Sequence, residues 1–255
     1  MTLQAAWMLL TVVSSAVYQG PVGDPGSPDT RVQQILTDLQ HRSDDLKDIH
    51  CEVRFVEDDR INLTQRTKFG RILFLMTKPN PHFLIHFQKT ETDGQLGKQE
   101  WYLFDGRWLY QAVERISQIT KQEVAGTDGE FDLFDLEKAP FPLPFGQKKE
   151  TILRNFNVTL STRSPLDPAD SDHLICKPKP DSRLRRKYDR LDLFVHRTIH
   201  LPTRIVVTKN SGLEVNTADF PGLSEKSINV GVKEIERPKD WKKYKEVVEE
   251  LVPRE

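Results

Sequence analysis

The sequence predicts a mainly β (α+β) fold built on an antiparallel sheet. Three observations predict it. Residues 69–124 hold successive runs, FGRILFLMTK, HFLIHFQK, EWYLF, RWLYQAV and RISQITKQEV, whose Ile, Leu, Phe, Trp, Tyr and Val suit a pleated, half-buried surface. The breaks between them are turn chemistry. Lys78-Pro79-Asn80-Pro81 cannot continue a ladder through two prolines, and Asp105-Gly106 tolerates the positive φ of a tight hairpin. Further alternating runs at 49–57, 156–162, 173–177, 189–196, 203–209 and 213–218 extend the sheet on both sides of this meander.

A β-rich chain of 255 residues suits a single domain. Its formal net charge of -1 gives no global field toward nucleic acid or an anionic membrane, so either would need a local basic patch. Cys51 and Cys176 lack CxxC or Cys/His spacing, which argues against zinc and thioredoxin-type chemistry. They either pair or remain buried thiols, and burial is the common fate of free cysteine.

At the N-terminus, the apolar run 5–13 precedes Ser14-Ser15-Ala16, a small-x-small pattern that predicts a signal peptide over 1–16 and export. The leader is atypical, or the true start lies upstream, because the first basic residue is Arg31. The run is too short for a permanent membrane span, which needs about 20 residues. Residues 17–29 read as a flexible Pro/Gly linker, and 30–255 as the domain.

From Thr30 a helical period sets Val32, Ile35, Leu36, Leu39 and Leu46 on one side. Strands follow at 49–57 and 61–67 around the turn Asp58-Asp59-Arg60, and then the meander. Residues 128–136 read as a short acidic helix rather than a calcium loop. The segment 140–146 alternates proline with Phe141, Leu143 and Phe145, and an extended loop this apolar seals the core or lines a pocket mouth. Residues 149–155 suit one or two helical turns. The last predicted element is a docking helix over 239–251, with Trp241, Tyr244, Val248 and Leu251 on one face. Its lysines precede its glutamates, which opposes the helix dipole, so it forms only by docking.

Catalytic motifs are not evident: there is no G-x-G-x-x-G, P-loop, G-x-S-x-G or H-E-x-x-H. His82/His86 and His196/His200 lie four apart, about 13 Å along a strand, too far to chelate one ion. Asn62-Leu63-Thr64 and Asn157-Val158-Thr159 match the glycosylation sequon. The run Arg183-Leu184-Arg185-Arg186-Lys187 with Tyr188 is an RNA-patch candidate, but in a chain of this net charge it reads first as a solvated face.

Side chains alternate across a sheet, so each strand divides into faces. One face gathers Ile72, Phe74 and Met76, then Phe83, Ile85 and Phe87, then Trp101 with Leu103, and Trp108 with Tyr110. This apolar wall either packs on the helices at 32–46 and 241–251, or encloses a cavity for acyl chains.

The order of leader, amphipathic helix and strand pair is followed by G-x-(apolar)5-x-K-P at 70–79. An apolar strand at 83–87, D-G-x-W-L-Y at 105–110 and Q-I-T at 118–120 come next. This succession resembles the LolA/LolB-like lipoprotein carrier family over about residues 30–220. It is similar to planctomycete-type versions in 140–146 and in Leu201-Pro202-Thr203-Arg204. The resemblance implies an incomplete antiparallel β-barrel of about eleven strands covered by helices, with an apolar cavity carrying lipoprotein acyl chains or lipids. It implies a periplasmic, monomeric, non-enzymatic protein that needs no cofactor and hands cargo between envelope donor and acceptor proteins. The ten wall residues would bind lipid, and Lys78, Phe141, Leu143 and Phe145 would form the lid or mouth. Carriers of this family hold their lid with an arginine where this chain has Lys78, and lysine lacks the planar fork for several carbonyls at once. The same fold also serves envelope sensors, so a sensor or scaffold that binds a partner protein is the alternative reading.

Overall fold

A computed structural model describes residues 28–124, 143, 145 and 148–249. The leader, most of the linker, the acidic segment 128–136, Phe141 and Leu251 lie outside the described residues.

The helical period beginning at Thr30 forms α1, Pro28–Asp44, and Val32, Ile35, Leu36 and Leu39 along its inward side are buried. Strands β1 (Asp48–Asp59), β2 (Thr64–Leu75) and β3 (His82–Thr92) follow, with a two-residue β4 (Gln95–Leu96) beside β3. Next come β5 (Glu100–Phe104), β6 (Trp108–Val113) and β7 (Gln118–Glu123). After α2, Lys149–Asn155, the strands are β8 (Phe156–Leu160), β9 (Ser171–Pro178), β10 (Arg190–His196), β11 (Pro202–Lys209) and β12 (Glu214–Asp219). A final strand, β13, spans Lys245–Glu249.

All of these strands join one 13-stranded sheet, twelve of them in the order β13-β7-β6-β5-β3-β2-β1-β12-β11-β10-β9-β8 and β4 branching off beside β3. Every pairing is antiparallel except β13 with β7. The end strands β13 and β8 are not neighbours, so the sheet stays open. It nevertheless wraps, because buried side chains of β1, β2, β3, β8, β9, β10 and β11 share a single continuous core with those of α1. The first described strand, β1, is therefore central, with β2 on one side and β12 on the other.

Two turns show how the sequence sets the register. At Asp105-Gly106 the Asp105 carboxylate accepts hydrogen bonds from the backbone N–H groups of Arg107 (3.1 Å) and Trp108 (2.8 Å), and Gly106 takes φ +92°. At Gly70 the β2–β3 register shifts, and a Cβ there would lie 2.0 Å from the carbonyl oxygen of His86. Only glycine lets the two backbones approach so closely.

Three expectations need correction. The runs read as separate strands at 61–67 and 69–78 are one strand, β2, which starts after a turn capped by Asp59. Residues 114–116 form a 3-10 turn, so β7 begins only at Gln118. The segment expected as a helix over 239–251 is not one in its described part, 239–249: a 3-10 turn at Lys239–Lys243 leads into β13. The adverse charge order weakens a helix there, while Val247 and Val248 suit a strand on the free edge of β7.

Candidate functional site: the inner wall of the open sheet

Strand pairing decides which side chains share the inner face. Phe74 is opposite Phe83, which is opposite Phe104, which is opposite Leu109. One step along, Ile72, Ile85, Tyr102 and Gln111 form the next row. A third row runs from Gly70 through Phe87 and Glu100. The inner wall thus passes from apolar beside α1 to polar at its far end.

Five of the ten wall residues expected from sequence, Ile72, Phe74, Phe83, Ile85 and Phe87, stand together on this face at 0–1% exposure. The other five do not join them. Trp101, Leu103 and Tyr110 pack in a second cluster on the outer face under Trp241, with Trp108 against it. Met76 lies beyond the end of β2 and is 41% exposed. The expectation was one residue out of step on β5 and β6, which reverses the face of every side chain on a strand. The inner-face residues there are Tyr102, Phe104 and Leu109, and only the cross-strand partners of Phe83 and Ile85 could have revealed them.

What covers the wall is a mixture of helix and loop. Leu36 and Leu39 of α1 belong to the same core, as do Leu143 and Phe145. The Phe145 ring stands edge-on to Phe74, with centroids 5.1 Å apart at 60°. Just beyond it, the first residue of α2 is tied to α1. Lys149 donates from its backbone N to Gln40 Oε1 (3.1 Å) and from Nζ to Thr37 Oγ1 (2.8 Å). Two of the four expected mouth residues, Leu143 and Phe145, are therefore buried in the same core as the wall, Phe145 directly against Phe74. Lys78 is instead exposed in the β2–β3 turn.

At the polar end, Lys68 is 4% exposed and reaches Glu100 at 2.9 Å and Glu57 at 3.2 Å. Its ammonium faces the rings of Phe55 and Phe87. Burial opposes the charge, but Tyr102, Glu57 and Glu100 outweigh it and raise the Lys68 pKa above the ordinary lysine value. Sequence reading missed this cluster, since a single lysine amid alternating polar residues carries no signal until its strand neighbours are known.

On the outer face, Trp101, His86, Gln99, Glu114, Lys243 and Tyr244 line a cleft of about 590 Å3. His86 stacks on Trp101 with centroids 4.9 Å apart, so the indole is already covered. Cys51 and Cys176 are separate buried thiols, each pushed up to about 12 by burial. Among the described residues no cluster of His, Cys, Asp or Glu could hold a metal, and no helix is long and apolar enough to cross a membrane.

An antiparallel sheet that wraps a helix without closing is the incomplete barrel the family resemblance implies. The architecture is an open, incomplete barrel. No family model and no curated protein matches the chain. Among solved structures, it is similar to an uncharacterized conserved protein from Thermus thermophilus, at 12% identity and TM-score 0.45, covering 86% of this chain and 99% of that one. It is similar to LprF from Mycobacterium bovis, at 13% identity and TM-score 0.43, covering 82% and 97%. A LolA superfamily protein from Nitrosomonas europaea follows at 15% identity and TM-score 0.30, covering 76% and 95%. Likenesses this remote carry no argument about what the sheet of this chain binds.

Proposed function

We propose that this protein binds acyl chains of lipids or lipoproteins outside the cytoplasm, without covalent chemistry, against the inner wall of its open sheet. The observation that supports the reading is the closure of that wall. Phe74, Phe83, Ile85 and Phe104 are fully covered, yet part of the cover is the single chain segment that carries Leu143 and Phe145. A ligand enters by exchange, taking the place of these two side chains.

Magnitudes favour such an exchange for long chains only. Uncovering Leu143 and Phe145 costs roughly 1.5–3 kcal/mol each in lost burial. An acyl chain leaving water gains about 0.8 kcal/mol per CH₂ buried. The displacement, about 3–6 kcal/mol in all, is offset by about four to eight buried CH₂ groups, so only chains longer than that gain on exchange. Release needs the reverse step, in which Phe145 returns to Phe74.

Native mass spectrometry and titration with a fluorescent long-chain fatty acid test the proposal. Wild type should take up the probe and Phe74→Asp should not, while Trp108→Asp, on the outer face, should bind as wild type does. A folded wild-type protein that takes up no probe would rule the carrier out in favour of a scaffold that binds a protein partner.

A further inference from the structure

The turn between β9 and β10 concentrates positive charge that the inner wall does not use. Residues 177–190 contain seven basic and two acidic side chains, in a chain whose formal net charge is -1. Arg183, Arg185 and Arg186 lie on one 3-10 turn, Arg183–Arg186, and all three are exposed. None forms an ion pair with a described residue. Leu184 between them is buried in the main core, and Ser182 caps the turn by accepting from Leu184 N–H at 3.2 Å. The turn is therefore an anchored platform that holds three guanidinium groups outward. With Pro180, Asp181 and Ser182 they line a shallow depression of about 620 Å3.

The position of this platform matters as much as its charge. Ser182 Oγ donates to Asn155 Oδ1 (3.2 Å), and Lys179 donates from its backbone N to Asn155 O (2.9 Å) and from Nζ to Leu153 O (2.6 Å). Asn155 is the last residue of α2, whose first residue is bonded to α1 and follows the Phe145 segment. Seven helical residues span about 10 Å. The basic turn and the cover of the inner wall are thus the two ends of one short helix.

We infer that the turn Arg183–Arg186 docks the protein on the surface of an anionic phospholipid bilayer, with α2 bringing the cover of the inner wall close to that surface. Guanidinium groups pair bidentately with phosphate, and a compact cluster gains from a surface where phosphates are dense and mobile. Nucleic acid fits less well, because Tyr188, the aromatic side chain nearest in sequence, is buried in the core and offers no base a stacking face. The docking holds whichever ligand the wall takes.

Co-sedimentation with vesicles tests it. Wild type should bind phosphatidylcholine vesicles containing phosphatidylglycerol, ignore pure phosphatidylcholine vesicles, and lose binding as salt rises. Each arginine contributes about a fivefold gain at such a surface, so the triple variant Arg183→Glu, Arg185→Glu, Arg186→Glu should bind at least about a hundredfold more weakly. Lys226→Glu with Lys233→Glu reverses exposed charge elsewhere and should bind as wild type does. Circular dichroism confirms that each variant is folded, and the salt titration of wild type stands without any variant. Equal binding to both vesicle types, or equal loss in the control variant, overturns the inference. So does tighter binding to single-stranded RNA than to vesicles at the same salt.

Discussion

Phe145 meets Phe74 edge-on, ring centroid to ring centroid at 5.1 Å, and this contact joins the cover of the inner wall to the wall itself. Both rings are 0% exposed. Phe145→Ala should therefore leave a void against Phe74 and lower stability by about 3 kcal/mol. On the carrier proposal the same void favours ligand, so probe affinity should rise while the urea midpoint falls. Affinity falling together with stability would mean that Phe145 is packing alone.

Lys68 makes a separate prediction. Removing one partner of a buried charge pair typically costs about 3–5 kcal/mol, because the other is left uncompensated. Lys68→Met should approach that range through Glu100, and adding Glu100→Gln should recover part of the loss, since Glu57 is more exposed. A double-mutant cycle on urea-unfolding free energies measures the coupling.

Gly70→Ala should be among the most damaging single changes. The new Cβ would sit 2.0 Å from the His86 carbonyl oxygen, which is backbone and cannot rotate away. Soluble yield and melting temperature should both fall sharply, whereas Gly94→Ala should lose less, with only its positive φ to strain.

Alkaline pH should destabilise the fold before it breaks any visible contact. Burial pushes both thiols from about 9 up to about 12, so the folded state keeps them protonated where the unfolded chain does not. Their contribution is full below pH 9 and is lost progressively as pH rises toward 12. A serine at both positions removes these titrations and should flatten the fall between those limits. Thiol reagents at pH 8 should label both cysteines only as fast as the protein opens.

Much of the sheet was legible because strand signals are local. The alternation, the Asp105-Gly106 hairpin and the proline-rich turn after β2 are each read from a few neighbouring residues. The inner face was legible on β2 and β3, where Phe74 and Ile72 pair directly with Phe83 and Ile85. It failed on β5 and β6, where Trp101 and Trp108 are as apolar as Tyr102 and Leu109 and both faces are covered. When each side of a strand is buried, hydrophobicity no longer tells inside from outside. The C-terminal segment misled for a related reason: Trp241 and Tyr244 are spaced as on a helix, but they anchor a 3-10 turn on the outer face, and the pairing of β13 with β7 is set by residues more than a hundred positions away.

The place of β1 bears on how the chain reaches this state. It is the first strand among the described residues and lies mid-sheet, yet its second neighbour, β12, comprises residues Glu214–Asp219. Until those residues are available, the outer half of β1, Arg54 to Asp59, has bare donors and acceptors along one flank. Closure of so long a loop makes folding slow and its completion late, so a nascent or truncated chain ending before position 214 presents an adhesive edge and not a finished half.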